Sequence, residues 1–178
     1  RRGDTVSALL FNTPPMIEAH YGPAMLGAVL NAINTRLDAA GVAFILDHAE
    51  AQVLLVDAEL WPLAEAALAQ ADVAPRVVVW RDPTVPDTHA AAEGREDYAA
   101  FLAAGDPDCV GPGPLDEWDA IALNYTSGTT GDPKGVVYHH RGAMLLATGN
   151  VIHAGMAGPD GAPPVYLWTL PMFHCNGW

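Results

Sequence analysis

Apolar residues run along this chain in short blocks separated by polar and helix-breaking clusters, and the blocks switch between two periods. Thr5 to Phe11 is a short apolar run that reads as a strand. Asn12-Thr13-Pro14 follows with capping chemistry and a proline suited to a helix's first turn, and the apolar stretch through Ile33 reads as a buried helix interrupted at Gly22-Pro23. Asp38 is placed as an N-cap, with Leu37 before it and Val42 positioned to close a hydrophobic staple. Val42, Ile45, Leu46 and Ala49 then fall at i, i+3, i+4 and i+7, one face of a helix. Val53 to Val56 predicts a buried strand, Trp61 to Ala71 a helix and Val77 to Trp80 another strand.

Prolines at 83 and 86 mark a loop between Arg81 and Gly94, and Glu96 to Ala104 predicts a short helix. The run Gly105 to Pro114 mixes Gly and Pro with acids and cannot sit inside an element, which predicts a boundary between two structural layers near residues 105–117. Beyond it Ala120 to Tyr125 and Gly135 to His139 read as strands, Gly142 to Ile152 as a helix and Val165 to Leu170 as a further strand. Alternation of strands and helices at this spacing predicts an α/β fold with layered sheets and flanking helices.

Length and charge narrow the function classes. With 178 residues, 51% of them hydrophobic, the chain has a core to fill, which excludes disorder and a collagen-like fold. It carries 8 basic and 21 acidic residues, a net charge of −13, and adding all 7 histidine protons still leaves −6. Such a surface repels nucleic acid, so any phosphate is held locally. Cys109 and Cys175 stand far apart, with no zinc-ligand spacing, and predict a reducing, cytoplasmic setting. No apolar run approaches the roughly 20 residues of a membrane span. The chain lacks an initiating Met, and its opening at Arg1-Arg2-Gly3-Asp4 reads like a turn before a strand, which points to a fragment.

The segment richest in chemistry is Tyr125-Thr126-Ser127-Gly128-Thr129-Thr130-Gly131-Asp132-Pro133-Lys134-Gly135. Gly128, Gly131 and Gly135 permit positive φ, so successive backbone N–H groups can converge on an anion. Thr126, Ser127, Thr129 and Thr130 add hydroxyl donors, and Lys134 is the only lysine in the chain. An exposed turn also accommodates a lysine, but a tight turn needs only about two to five residues and no row of hydroxyls. It is not a P-loop, because Gly135 follows Lys134 where a Ser or Thr would meet Mg2+, and a strand follows where a helix should begin. Joining two strand-like runs, the loop should project as a mobile flap.

This motif resembles the signature phosphate loop of adenylate-forming enzymes, the acyl-CoA synthetase and adenylation-domain superfamily. Pro171-Met172-Phe173-His174, continuing as Cys175-Asn176-Gly177-Trp178, resembles the Phe-His stretch that lines the acyl and adenylate pocket in acyl-CoA synthetases, where peptide-synthetase adenylation domains carry Phe-Asp. Asn12 to Asp57, with Asn34-Thr35-Arg36-Leu37 inside it, also looks like that family's N-terminal subdomain, and the likeness is greatest to short- and medium-chain acyl-activating ligases.

The resemblance implies that residues 1–178 are part of an AMP-binding N-terminal domain, truncated at both ends. It implies ATP-dependent activation of a carboxylic acid to acyl-AMP, then transfer to the thiol of CoA, with Mg2+ accompanying ATP. Thr126, Ser127, Gly128, Thr129, Thr130, Gly131 and Lys134 would hold the phosphates. Lys134 and His174 would be catalytic, and His174 and Trp178 would border the acyl group, with Met172 either a pocket wall or core. No protein-held metal site is expected. The family's downstream adenine, ribose and lysine motifs are not in the sequence, so the fragment alone is expected to be inactive. Two alternatives stand beside the ligase: an adenylation domain or aryl-acid activator of the same superfamily, and a nucleotide-binding module without catalysis. The remaining histidines are read as structural, with His139 and His140 diverging at a strand end, and the acids from Asp106 to Asp119 as a solvated surface.

Overall fold

A computed structural model of the chain describes residues 1–85, 90, 92–126, 133–153 and 165–174. The element order is β1 (Thr5–Leu9), α1 (Pro14–Met25), β2 (Val29–Ala32), α2 (Ala39–His48), β3 (Ala51–Asp57), α3 (Trp61–Leu68) and β4 (Arg76–Trp80). It continues through β5 (Glu96–Asp97), α4 (Tyr98–Ala103), β6 (Ala120–Tyr125), β7 (Gly135–His139) and α5 (His140–His153). The strands form one seven-stranded sheet in the order β5-β4-β3-β1-β2-β6-β7. All neighbours pair in parallel except the β6–β7 hairpin.

The central strands are buried on both faces, and their alternation sorts side chains into two layers. Leu9, Leu54, Val56 and Val79 face α2 and α3, packing on Val42, Ile45, Leu46, Trp61 and Ala64. Ala8, Leu30, Leu55 and Val78 face α1 and α4, packing on Met16, Ala19 and Tyr98. The expected cap of α2 is present: the Asp38 carboxylate accepts from the Gly41 N–H at 2.9 Å, and Leu37 packs against the first of these clusters.

Three expectations change. The long helix through Ile33 stops at Met25, because Gly27 takes φ +75 and the Ala28 N–H turns back to the Pro23 carbonyl at 2.8 Å, releasing Val29–Ala32 as a central strand. The run Gly105 to Pro114 does not separate two sheets, since β6 beyond it lies beside β2 in the same sheet. Val165 to Leu170 is not a strand; Val165, Tyr166 and Leu167 are exposed and pair with no ladder.

Candidate functional site

A cavity of about 460 Å3 opens outside the carboxyl ends of β2 and β6, the edge where open parallel sheets bind ligands. Its apolar walls include Ala32, Leu37, Ile45, Val136 and Phe173, and its polar groups come from Asn34, Asn124, Thr126, Tyr138 and His174. Such a mixture, apolar lining with a few placed polar groups, suits a small organic molecule.

The chain assembles this wall from distant parts. β6 ends at Tyr125 and hands over to the loop, while β7 begins at Gly135, and Tyr125 and Gly135 are register partners. The hairpin root is clasped by two bonds: the Thr126 N–H donates to the Lys134 carbonyl at 3.0 Å, and the Lys134 N–H donates to Thr126 Oγ1 at 3.3 Å. Thr126 and Lys134 are therefore fixed opposite one another at the base of the loop. The Lys134 side chain is exposed and belongs to no ion pair among the described residues, whereas Arg2, Arg76, Arg81 and Arg141 are each paired with a carboxylate. An exposed lysine and a threonine hydroxyl at one hairpin root are residue types that fit phosphate oxygens.

The wall bearing His174 is held by an amide outside it. Asn12, just past β1, donates through Nδ2 to the Leu170 carbonyl at 2.9 Å and accepts through Oδ1 from the Met172 N–H at 2.7 Å. The capping role expected around Asn12-Thr13 is taken instead by backbone and prolines, and no side chain caps α1. Met172 is then buried in the core rather than in the cavity wall, while Phe173 and His174 reach the cavity. The His174 N–H closes a turn onto the Pro171 carbonyl at 3.0 Å.

Of the residues singled out in the sequence, Thr126 and His174 share one cavity, and Lys134 stands next to its wall residue Pro133. Ser127, Gly128, Thr129, Thr130, Gly131 and Trp178 lie outside the described residues, as does the expected flap. Asn34, Asn124 and Tyr138 were not singled out as site residues. Asn124 is 7% exposed, and its side-chain oxygen and nitrogen have no hydrogen-bond partner among the described residues. An asparagine inside an otherwise apolar strand was the available signal. His139 ends β7, accepting from the Gly142 N–H at 3.0 Å and packing at a 52° tilt against Trp118, and among the described residues no cluster of His, Cys, Asp or Glu would hold a metal ion. Burial pushes the Tyr125 hydroxyl above the usual phenol range. No helix among the described residues is long and apolar enough to cross a membrane.

The AMP-binding enzyme family profile matches residues 1–178. The chain is 49% identical, over 99% of its length, to a peroxisomal acetate/butyrate–CoA ligase of Arabidopsis thaliana, of which it covers 32%. It is 45% identical to an acetate–CoA ligase of Humulus lupulus over 99% of its length and 32% of that protein. Among solved structures, an anthranilate–CoA ligase in complex with anthranoyl-AMP superposes with a TM-score of 0.73 at 28% identity, over 83% of this chain and 27% of that one. A long-chain-fatty-acid–CoA ligase from Archaeoglobus fulgidus, with TM-score 0.75 at 23% identity over 99% of this chain and 32% of that one, shares the fold. The chain thus spans about a third of the length of the curated relatives it matches.

One expectation is overturned here. Relatives at 49%, 45% and 44% identity are peroxisomal proteins, which conflicts with a cytoplasmic setting. Cysteine usage separates oxidising from reducing compartments, but organelle addressing rests on short receptor-read signals that composition does not report.

Proposed function

Because the chain belongs to the family of AMP-binding enzymes, we propose that it forms the phosphate-meeting part, and one wall of the acid pocket, of an ATP-dependent acid:CoA ligase. The observation that carries this reading is the meeting of Thr126 and His174 at one cavity, with the Lys134 backbone bonded to Thr126 at the adjoining hairpin root. The substrate class is a small carboxylic acid, supported by the acetate, butyrate, 2-methylpropanoate and trans-cinnamate named for relatives at 42–49% identity.

In this reading a carboxylate oxygen attacks the α-phosphorus of ATP, the bond to the bridging oxygen breaks, and pyrophosphate leaves with the electron pair. Lys134, Thr126 and the backbone and hydroxyl groups of Ser127 to Gly131 hold the phosphate oxygens and offset the charge that develops on the leaving group. His174 and Trp178 border the acyl group, and the thiol of CoA then displaces AMP from the acyl carbon. Mg2+ would come with ATP, screening its phosphates.

The test is acid-dependent ATP–pyrophosphate exchange by the complete protein, with and without Lys134→Ala. Removing one preorganised donor of this kind costs roughly 10²–10³ in rate. Exchange absent from both versions would favour a non-catalytic nucleotide-binding module, and exchange unchanged by Lys134→Ala would count against the role given to Lys134. CoA-dependent release of the acyl group separates the ligase from an adenylation domain.

A further inference from the structure

We propose that His48 is a positioning residue for the phosphate loop: from the end of α2 it holds the Tyr125 hydroxyl and thereby sets the geometry of the hairpin root that carries Thr126 and Lys134. The inference rests on the reading of that loop as the phosphate site.

His48 is the last residue of α2, and its Nδ1 lies 2.7 Å from Tyr125 Oη, 77 residues further along the chain. The imidazole is held from two sides. It stacks on Phe44, one turn back on the same helix, at 5.6 Å and 24°, and meets the Tyr125 ring edge-on at 5.6 Å and 83°. The helix beneath it is anchored by the Asp38 cap and by Val42, Ile45 and Leu46, each 1% exposed or less. His48 is therefore a fixed point relative to the sheet.

Tyr125 is where that fixed point meets the loop. Its backbone is the last of β6 and pairs with Gly135, the first residue of β7. The ring lies over the hairpin root: a Cβ added at Gly135 would stand 3.7 Å from it and 2.9 Å from Leu123 Cδ1. The ring is thus within ordinary contact distance of the first residue of β7. The next residue, Thr126, makes both bonds that clasp Lys134. The ring nitrogen and the hydroxyl share one hydrogen bond, whose direction follows the imidazole tautomer. Fixing the ring at both ends removes a rotation from the base of the loop, so Thr126 and Lys134 need less ordering when they meet phosphate.

The expected signature is a split between the two substrates. In the complete protein, His48→Ala and Tyr125→Phe should each raise the KM for ATP several-fold in ATP–pyrophosphate exchange and leave the KM for the acid within twofold. The double variant should be no worse than either single one, because both remove the same bond. His48→Gln, whose side-chain oxygen can accept from the hydroxyl, should recover part of the loss. An ATP KM unchanged in both single variants, additive effects, or an equal rise in both KM values would overturn the proposal. A second measurement is independent of activity: hydrogen exchange at the Thr126 amide should quicken at least severalfold in both single variants, and unchanged exchange there would also overturn the proposal. Absence of ATP–pyrophosphate exchange in the unmodified protein would instead defeat the ligase reading, while the amide measurement still decides the role of His48.

Discussion

Asn12 and Met172 stand 160 residues apart, yet the Met172 N–H donates to Asn12 Oδ1 at 2.7 Å while the same amide donates to the Leu170 carbonyl at 2.9 Å. One side chain thus bonds this segment at two points, and Phe173 and His174, just beyond it, line the cavity.

Asn12→Asp separates the two halves of this grip. A carboxylate still accepts from Met172 but faces the Leu170 carbonyl with like partial charge. Loss of the bond and its replacement by repulsion should cost about 1–3 kcal/mol of local stability. Proteolytic susceptibility within residues 165–174 should increase, with the acid KM of the complete protein rising and the ATP KM little changed. Unchanged cleavage kinetics would refute the assignment.

Asn31 performs a comparable task inside the sheet. It is fully buried in β2, accepts from the Ser7 hydroxyl at 3.0 Å, and donates to the Leu123 carbonyl at 2.9 Å. Between β2 and β6 the register consists of the single pair Leu30 and Ala122, so this amide supplements a sparse ladder. Asn31→Leu leaves a buried hydroxyl and a buried carbonyl unpaired, at about 1–3 kcal/mol for each orphaned group. The urea midpoint should fall, and adding Ser7→Ala should recover part of the loss. Strictly additive losses would show the two side chains to be uncoupled.

Tyr98 makes stability depend on alkaline pH. Burial, and then the hydrogen bond it donates to the Glu18 carboxylate at 2.6 Å, push its hydroxyl well above the usual phenol range. A folded-state pKa raised above the unfolded value of about 10 means that the contribution is fully present below pH 10 and is lost as pH rises beyond it. Tyr98→Phe should cost about 1 kcal/mol at neutral pH and flatten the loss of stability above pH 10. Denaturation curves at pH 8 and pH 11 check both, and equal slopes in the two proteins would contradict the assignment.

Gly111 is constrained by contact rather than by dihedral angle. A Cβ there would collide with the carbonyl oxygen of Met25, the last residue of α1, and backbone cannot step aside as a flexible side chain can. Gly111→Ala should lower stability by about 1–3 kcal/mol, while the same change at Gly149, where a Cβ meets nothing within 4 Å, should not. Thermal melts of the two variants make the comparison, and equal melting temperatures would refute it.

Elements whose signals are local were legible in the chain. The Asp38 cap and the spacing of Val42, Ile45 and Leu46 define α2, and β6 and β7 have the bounds expected from their apolar runs. Glycines, hydroxyls and a lone lysine likewise mark the loop, because anion-binding chemistry is written in consecutive residues. Periodicity was insufficient for Val29–Ala32, since a four-residue strand buried on both faces has no alternation to distinguish it from a buried helix turn. It misled at Val165 to Leu170, where an apolar run found no strand to pair with.

What only the tertiary structure decided is which distant residues share the site. Parallel strands require long crossovers, so neighbours in the sheet are far apart in the chain, and no spacing rule joins Asn12 to Met172 or His48 to Tyr125. The sequence by itself determined the α/β class and the composition of the loop between Tyr125 and Gly135, which we propose meets phosphate. The order of the strands determined that His174 comes to the same cavity as that loop's first hydroxyl, and that a helix end steadies its root.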